Sequence, residues 1–390
     1  MKRDRETLMT TLRHAVESVL CAACVLTLSA CSSTSTREPA ELTDFTPEFK
    51  VEKVWSVSLG DNPAGLLTPA LTSTGLYAAG GSSLYKIDPA TGNTLWEVPV
   101  GSTVTAGVGS DGHTVALGTA SGLLCVFDET GKALWSAKLS AEMVTPPLVG
   151  SGVVLVRTSD TRISCYDAVS GERRWRYQTQ SPALSLRVAR EMRFSPAGVL
   201  VGENTGRLLA LDSAGKPVFE IPVSEPKGTT EVDRLSDVVG APMVDASLMC
   251  AASYQGRVLC ISAQDGHTVW TRSVDAVSGP VTDGKQIYVT ASDSALFAFD
   301  HDTGTPAWTN TEYRWRSLGS PVVTMGGIAV VDYDGVVSFL NPTTGQTAAR
   351  TEIDGAAISA PVPYDGGALI QTDEGKLFLI KPILPQKTDQ

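Results

Sequence analysis

Residues 84–96 read LYKIDPATGNTLW, and this pattern recurs along the whole chain. An alternating apolar run ends in Asp88, a polar turn is closed by Gly92, and Trp96 follows four residues after that glycine. The same pattern ends at six further positions: Trp135, Trp175, Phe219, Trp270, Trp308 and Ala349. A fixed period of about 40 residues indicates an array of repeated units rather than two or three unlike domains.

Each repeat contains the signals of four short strands. A Pro-containing strand, as in residues 145–148, and a small apolar strand, as in residues 287–290, precede the third and fourth strands of the pattern. The Asp can close an Asx turn, and the Gly supplies the positive φ of a short hairpin. The Trp of the outer strand then covers the space before the next repeat, with an aromatic ligand cage as the alternative. This pattern predicts an all-β fold, a β-propeller of four-stranded antiparallel blades.

The two ends of the chain complete the count of blades. Trp55 lies in an outer-strand sequence, residues 51–57, with no turn before it. Residues 375–380 form a third strand with no Trp strand after it. The N-terminal strand is therefore expected to complete the C-terminal blade. We predict an eight-bladed propeller over residues 49–385, closed so that no sheet edge stays open between the ends.

Residues 1–30 have the composition of an export signal. Four basic side chains precede an apolar run, residues 19–28, that is too short to span a bilayer. The run ends in Leu28-Ser29-Ala30-Cys31, which resembles a bacterial lipobox. The resemblance implies that Cys31 is lipidated and that, with Ser32 behind it, the protein is sorted to the outer membrane; an ordinary export signal is the alternative. The polar residues 31–48 are expected to form a flexible tether.

Charge and cysteine content restrict the partners and the redox chemistry. The net charge of −11 argues against nucleic acid or a broad anionic membrane surface as partner. Cys125 and Cys165 occupy equivalent strands of different repeats and cannot easily meet. Cys250 and Cys260 lie symmetrically about Gln255, the expected tip of a hairpin. Two buried free thiols are the favoured interpretation for this pair, and a cross-strand disulfide is the alternative.

The sequence contains no recognisable catalytic constellation. His113, His267 and His301 lie in Gly/Asp turns of the repeat, which makes a Ser-His-Asp arrangement improbable. There is no P-loop or dinucleotide fingerprint. Asp332 and Asp334 lack the further ligands of a calcium loop. We therefore predict a protein that is not an enzyme and has no catalytic residue, cofactor or metal site.

Two stretches interrupt the period. The distance between successive outer-strand aromatics rises to 44 residues before Phe219 and to 51 residues after it. Insertions in repeat proteins map to loops on one face, often the binding face. Arginines also concentrate near the first interruption: Arg173, Arg174, Arg176, Arg187, Arg190 and Arg193. A solvated blade surface is the alternative for these arginines, and ordinary strand burial is the alternative for Leu184 and Leu186.

The repeat resembles the quinoprotein-type (PQQ-like) propeller repeat over about residues 50–382. Quinoprotein alcohol dehydrogenases with this repeat hold a quinone and calcium with the help of two adjacent cysteines, and no Cys-Cys pair occurs here. The chain is more similar to the BamB family, lipoproteins of the outer-membrane β-barrel assembly machinery. That similarity rests on the lipobox, the short tether, the blade count and the two irregular loops.

The resemblance also implies a partner and a site. In that family, the two segments that match the interruptions bind periplasmic domains of the barrel-inserting subunit, BamA. The implied partner-binding residues are Leu184, Leu186, Arg187, Asp233, Arg234 and Asp237. A second acid often follows two residues after the last of these, and Val239 stands there instead, which weakens the acidic half of the site.

The expected function is that of a non-catalytic scaffold at the periplasmic face of the outer membrane. Two leucines beside an arginine have the composition of a binding hot spot. Unfolded outer-membrane protein clients are a second candidate partner. The alternatives are a periplasmic PQQ-dependent dehydrogenase and a ligand-binding propeller.

Overall fold

The computed structural model describes residues 37–62, 67–143, 145–179, 184–186, 190–357 and 359–385. These residues form 32 β-strands in eight four-stranded antiparallel sheets. Within these ranges there is no helix long and apolar enough to cross a membrane. The eight sheets are the blades of a β-propeller, which confirms the predicted fold class.

The strands follow one another with short connections in most blades. In chain order they are β1 (Lys50–Ser58), β2 (Ala70–Thr72), β3 (Gly75–Gly80), β4 (Ser83–Ile87), β5 (Thr94–Pro99), β6 (Gly109–Ser110), β7 (Thr114–Gly118), β8 (Leu123–Asp128), β9 (Ala133–Lys138), β10 (Leu148–Gly150), β11 (Val153–Arg157), β12 (Arg162–Asp167), β13 (Arg173–Gln178), β14 (Met192–Ser195), β15 (Gly198–Gly202), β16 (Arg207–Leu211), β17 (Pro217–Pro222), β18 (Val238–Val244), β19 (Leu248–Ser253), β20 (Gly256–Ser262), β21 (Thr268–Val274), β22 (Val281–Thr282), β23 (Gln286–Thr290), β24 (Leu296–Asp300), β25 (Pro306–Asn310), β26 (Val322–Thr324), β27 (Gly327–Val331), β28 (Val336–Leu340), β29 (Thr347–Glu352), β30 (Val362–Tyr364), β31 (Gly367–Gln371) and β32 (Lys376–Ile383). Blades 1 to 7 each use four consecutive strands, beginning with β2–β5 and ending with β26–β29. Blade 8 combines β30, β31 and β32 with β1.

Blade 8 closes the ring as the sequence predicts. Strand β1 pairs antiparallel with β32, so that Trp55 lies opposite Leu379 and Ser58 lies opposite Lys376. The outer strand of the last blade therefore comes from the start of the propeller sequence. This pairing joins the two ends of the ring through backbone hydrogen bonds and leaves neither end as a free edge.

The Asx turns of the repeat are formed as predicted. The Asp88 carboxylate accepts a hydrogen bond from the amide of Ala90 at 2.8 Å, and Gly92 has a φ of 74°. Equivalent side-chain to backbone bonds close the corresponding turns at Asp128, Asp167, Asp212, Ser262, Asp300 and Asn341. The short polar side chain and the left-handed glycine together fix each hairpin.

The outer-strand tryptophans join neighbouring blades. Trp96 Nε1 donates to the carbonyl oxygen of Glu129 at 3.3 Å, and a Cβ atom on Gly131 would lie 3.2 Å from the indole ring. In six of the seven turns the glycine thus allows the close approach of an indole ring as well as positive φ, and Gly266 is the exception. The same indole-to-carbonyl bond is made by Trp55, Trp135, Trp175, Trp270 and Trp308. The predicted role of these residues between blades is confirmed.

Residues 40–49, the N-terminal segment, lie along the outer edge of blade 7. The Ala40 amide donates to Arg314 O at 2.9 Å, and Arg316 Nη1 donates to Ala40 O at 3.1 Å. The Glu48 amide donates to Ala348 O at 2.8 Å. Residues 40–48 therefore do not behave as the flexible tether predicted for them. The compact unit begins at Ala40 instead of residue 49.

Small side chains make room for the N-terminal segment. Ala349 replaces the outer-strand aromatic in blade 7, and Ala348 precedes it; both are buried. Phe49 packs into the space above them, with its ring 5.8 Å from that of Phe339. Phe49 thus covers blade 7 where a tryptophan would otherwise stand. Residues 1–36, with the predicted export signal and Cys31, lie outside the described residues.

The expectation of two free thiols in blade 5 is wrong. Cys250 and Cys260 face each other in the register of β19 and β20, with Cα atoms 4.1 Å apart, and they form a disulfide. Directly opposed residues of an antiparallel pair place their side chains on the same face, which brings the two sulfurs together. Among the described cysteines, Cys125 and Cys165 remain unpaired.

Candidate functional site

The propeller has two unlike faces. Because each blade is an antiparallel meander, its Asx turn and its first hairpin lie at one end, which we call the turn face. The hairpin between the second and third strands lies at the other end, together with the connection to the next blade. Hydrogen bonds from Val100 N to Ser82 O and from Val223 N to Gly206 O, each of 2.9 Å, hold these connections together. We call this end the loop face.

Both interruptions of the repeat lie on the loop face and flank blade 4. The first loop joins β13 to β14, and the second loop joins β17 to β18. The sequence prediction that two irregular loops share one face is therefore correct. Residues 184–186 and 190–191 of the first loop are described, whereas Arg187, one of the predicted partner-binding residues, lies outside the described residues.

The two leucines of the first loop have different environments. The side chain of Leu184 is 44% exposed. Leu186 is half-buried and packs against the apolar cluster between blades 5 and 6, which includes Val239. The position where a second acid is expected is therefore occupied by a member of the same buried cluster, Val239. Leu186 attaches the first loop to the core of the propeller, whereas Leu184 presents apolar surface to solvent.

The predicted charged pair of the second loop is exposed. The Asp233 carboxylate accepts a hydrogen bond from the Thr230 amide at 3.1 Å, and the Asp233 amide donates to the Thr230 hydroxyl at 3.1 Å. The hydrogen bonds that the carboxylate accepts, first from the Thr230 side chain and then from the Thr230 amide, hold the pKa of Asp233 below its ordinary value. Arg234 is exposed beside it, and Val232 is 58% exposed on the same turn. The tip of the second loop thus carries charged and apolar groups that solvent reaches.

Asp237 does not lie where the sequence reasoning placed it. Predicted as an acid that faces a basic patch on the partner, it is completely buried. Its Oδ1 accepts a hydrogen bond from the Leu186 amide at 3.2 Å and pairs with the Arg190 guanidinium. The reason is local: β18 begins at the next residue, so Asp237 stands where the second loop turns into the propeller. Asp237 therefore connects the second loop to the first.

Three buried charged residues near this connection were not identified from the sequence as parts of the site. They are Arg157, Arg190 and Glu203. Arg157 donates to Asn204 Oδ1 at 2.9 Å and also to the carbonyl oxygen of Gly202. A charged residue that ends an apolar strand sequence, as Arg157 ends VVLVR, is the signal that could have marked this cluster.

Burial controls the ionisation of the cluster. It lowers the pKa of Arg157 to about 9, with Arg190 adding to the shift. It also raises the pKa of Glu203. Burial raises the pKa of Asp237 and lowers that of Arg190, and the ion pair between these two opposes both shifts. Buried groups stay ionised only when groups of opposite charge or hydrogen-bond partners compensate for the lost water.

The inner strands enclose a central channel. One part of it, with a volume of about 600 Å³, is lined mainly by Pro-containing strands, and Arg193 contributes its cationic side chain. Arg193 also pairs with Glu191 at 3.4 Å. The prolines reduce the number of backbone donors on these inner edges.

Comparison with known proteins adds family information to this geometry. A family model described as outer membrane protein assembly factor BamB matches residues 80–310. The chain is 37% identical over 380 residues to the outer membrane protein assembly factor BamB of Burkholderia pseudomallei, covering 96% of this chain and 100% of that one. It is also 37% identical to the BamB of Bordetella pertussis, covering 92% of this chain and 95% of that one.

Solved structures show the same architecture. The crystal structure of BamB from Moraxella catarrhalis matches with a TM-score of 0.78 and 29% identity, covering 85% of this chain and 99% of that one. A quinohemoprotein alcohol dehydrogenase from Comamonas testosteroni matches with a TM-score of 0.66 at 15% identity, covering 90% of this chain and 80% of that one. The second likeness concerns the fold alone.

Proposed function

Because this chain belongs to the family of outer membrane protein assembly factor BamB, we propose that it is a non-catalytic scaffold which docks through its loop face to periplasmic domains of the barrel-inserting subunit BamA. Family membership supports the general role, which is assembly of outer-membrane proteins. The observation that carries the docking proposal is the meeting of both long loops at blade 4, where Asp237 of one bonds Leu186 of the other at 3.2 Å.

The exposed side chains of the two loops have the composition of a binding surface. Leu184 and Val232 expose apolar area; Val232 adjoins Asp233 in the second loop, and Arg187 follows Leu184 by three positions in the sequence of the first. Interfaces commonly combine an apolar anchor, which supplies affinity when water is removed, with charged groups that set orientation and association rate. Asp233 and Arg234 fit the second role on the second loop, and Arg187 is assigned to it on the first.

The anchoring part of the proposal concerns the N-terminus. Lipidation at Cys31 would hold the scaffold at the periplasmic face of the outer membrane. The N-terminal segment would then carry the connection from the lipid to blade 7 through its contacts with Arg314 and Arg316. Unfolded outer-membrane proteins remain a second proposed partner, which would be presented to the barrel-inserting subunit by the docked scaffold.

The docking proposal is tested with a double substitution on the first loop. We expect Leu184→Ala with Arg187→Glu to abolish co-purification with the barrel-inserting subunit from membranes in mild detergent. The melting temperature should stay within about 2 °C of the wild type, because an exposed leucine contributes little to folding. The matched control is Leu95→Ala with Arg173→Glu, two exposed outer-strand residues on other blades. Retained co-purification of the loop variant would place the interface elsewhere.

A dehydrogenase function has only fold-level support. The likeness to the quinohemoprotein enzyme is 15% in sequence, and the cysteine pair of this chain joins residues ten positions apart rather than adjacent ones. Reconstitution with PQQ and calcium, followed by a dye-reduction assay, tests this alternative directly. Reduction of the dye above the rate of the untreated protein would contradict the non-catalytic assignment.

A further inference from the structure

We propose that Arg190 and Asp237 form a buried latch that joins the two loops, so that both are positioning residues for Leu184 and Leu186 and neither touches the partner. This inference rests on the proposed docking function and assigns roles within the same surface. Arg190 has no role in the docking proposal itself. Asp237, which the sequence predicts to contact the partner, is assigned here a role that it exerts through the first loop.

The first step is the lack of access to Asp237. None of its surface is exposed, and its Oδ1 is already shared between the Leu186 amide and the Arg190 guanidinium. Its Oδ2 is buried and has no hydrogen-bond partner among the described residues. A partner could reach this carboxylate only by displacing the first loop. A direct salt bridge across the interface is therefore not available in this arrangement.

The second step is the fixed backbone at Asp237. Its carbonyl oxygen accepts a hydrogen bond from the Tyr254 amide at 2.9 Å, in blade 5. The next amide, that of Val238, donates to Glu203 O at 3.0 Å, in blade 4. Asp237 is thus held by two blades of the propeller. Its side chain transmits this fixed position to the first loop through the Leu186 amide.

The third step is the dependence of Arg190 on Asp237. Arg190 is buried two residues before β14, and its guanidinium lies near enough to the other buried guanidinium of the region to lower the pKa of Arg157. Arg157 already donates to Gly202 O and Asn204 Oδ1. The Asp237 carboxylate is the ion-pair partner that compensates Arg190. The pair therefore fixes the end of the first loop as well as its middle.

The consequence is a pre-organised apolar surface. Leu184 lies only two residues before the amide that Asp237 holds, so the latch restricts the positions its exposed side chain can take. A side chain that is already ordered loses less conformational entropy on binding. Asp237 thus supports binding by positioning the first loop, and its charge is compensated inside the protein by Arg190.

Two matched double variants separate positioning from contact. Arg190→Gln with Asp237→Asn removes both charges but keeps an amide donor and an oxygen acceptor, so the bond from the Leu186 amide can persist. Arg190→Met with Asp237→Leu removes both charges and also the acceptor, at similar volume, which buried ion pairs often tolerate in folding. Each is made in the mature full-length chain. The readouts are melting temperature, hydrogen exchange of the Leu186 amide, and the dissociation constant for purified periplasmic domains of the barrel-inserting subunit.

The latch predicts different results for the two variants. The Gln/Asn variant should bind within about threefold of the wild type, whereas the Met/Leu variant should bind at least about tenfold more weakly, because an unfixed hot spot loses affinity. Only the Met/Leu variant should show faster exchange at Leu186. Equal losses of binding in both variants would instead mean that the charge of Asp237 is recognised directly. That outcome would overturn the proposal.

The exchange measurement does not depend on the partner. If the wild type fails to bind the periplasmic domains, the docking function is wrong, while faster exchange at Leu186 in the Met/Leu variant alone would still support the latch. Unchanged exchange in the Met/Leu variant, with its melting temperature preserved, would overturn the latch even where docking is confirmed. The two failures are therefore distinguishable.

Discussion

Blade 5 is bordered by two seams that are built differently. Towards blade 6, Trp270 is buried, its Nε1 donates to His301 O at 2.9 Å, and a Cβ on Gly304 would lie 2.5 Å from the ring. Towards blade 4, the aromatic is the half-buried Phe219, and no atom of the described residues lies within 4 Å of a Cβ placed on Gly266. Both seams have a packed apolar interior, but at the outer edge the first seam is closely filled and the second is open beside Gly266.

The open seam coincides with the irregular loops. The connection that follows Phe219 is the second loop, and the first loop lies one blade earlier. At the regular seam, the sequence is determined by the need to fill space between blades. At blade 4 that requirement is relaxed on the outer edge, while buried charges replace apolar packing near the loop face. Departure from the repeat therefore marks the part of the ring that is specialised.

The largest expected difference between the seams comes from removing their aromatic rings. We expect Trp270→Ala to lower the free energy of unfolding by about 3–5 kcal/mol, since it empties a filled site and removes a hydrogen bond. Phe219→Ala should cost less, about 1–3 kcal/mol, because this ring is only half-buried. Chemical denaturation of both variants measures the two values. Equal losses would mean that the seams are filled alike.

A smaller difference is expected from the turn glycines. Gly304 and Gly266 both have positive φ, of 65° and 73°, so that alanine is strained at either position by roughly 1 kcal/mol. Gly304→Ala should cost about 1–3 kcal/mol more, because the new methyl group meets the ring of Trp270. The comparison is made by thermal and denaturant unfolding. A cost for Gly266→Ala as large as that for Gly304→Ala would show that the open seam closes in solution.

The smallest expected effect concerns pH at the filled seam. His301 bonds Asp245 of blade 5 and Asp302, each at 2.7 Å. Burial lowers the pKa of His301, but these hydrogen bonds outweigh it and the folded-state pKa is raised. The stabilisation is therefore complete below the unfolded pKa of about 6.5 and is lost as pH rises through the folded pKa.

This linkage gives a direct comparison of melting temperatures. Between pH 6 and pH 8, the melting temperature of the wild type should fall by about 1–2 °C more than that of His301→Asn, for a protein of this size. His267→Asn, which replaces an exposed histidine of blade 5 that pairs with Asp265, is the matched control for the substitution itself. A His301→Asn protein with unchanged pH dependence would show that this histidine does not contribute the effect.

The fold could be predicted because its determinants are local and repeated. An Asp, Asn or Ser, a glycine and, in six of the seven copies, an aromatic at fixed spacing define the hairpin between the third and fourth strands, and this repetition suffices to predict a ring. Closure by β1 also followed from two incomplete repeats. The disulfide required the register of β19 against β20, which the sequence pattern around Gln255 suggested without deciding between thiols and a bridge.

The site was predicted only in part because it depends on non-local contacts. The positions of both loops followed from the interrupted period. The burial of Asp237 could not, since it results from a bond to Leu186, 51 residues away, and from an ion pair with Arg190. The N-terminal segment was missed for the same reason, because Ala40 bonds Arg316, 276 residues away.

Ring closure by the two chain ends also orders the folding reaction. Blades 1 to 7 are contiguous in sequence and can form from local contacts, whereas Trp55 must wait for Leu379 before blade 8 exists. Loop closure over most of the chain is entropically costly and slows such pairing. When the chain emerges N-terminus first, β1 is made first and paired last. Until then β1 is an unpaired strand, which is a template for pairing with a neighbouring chain.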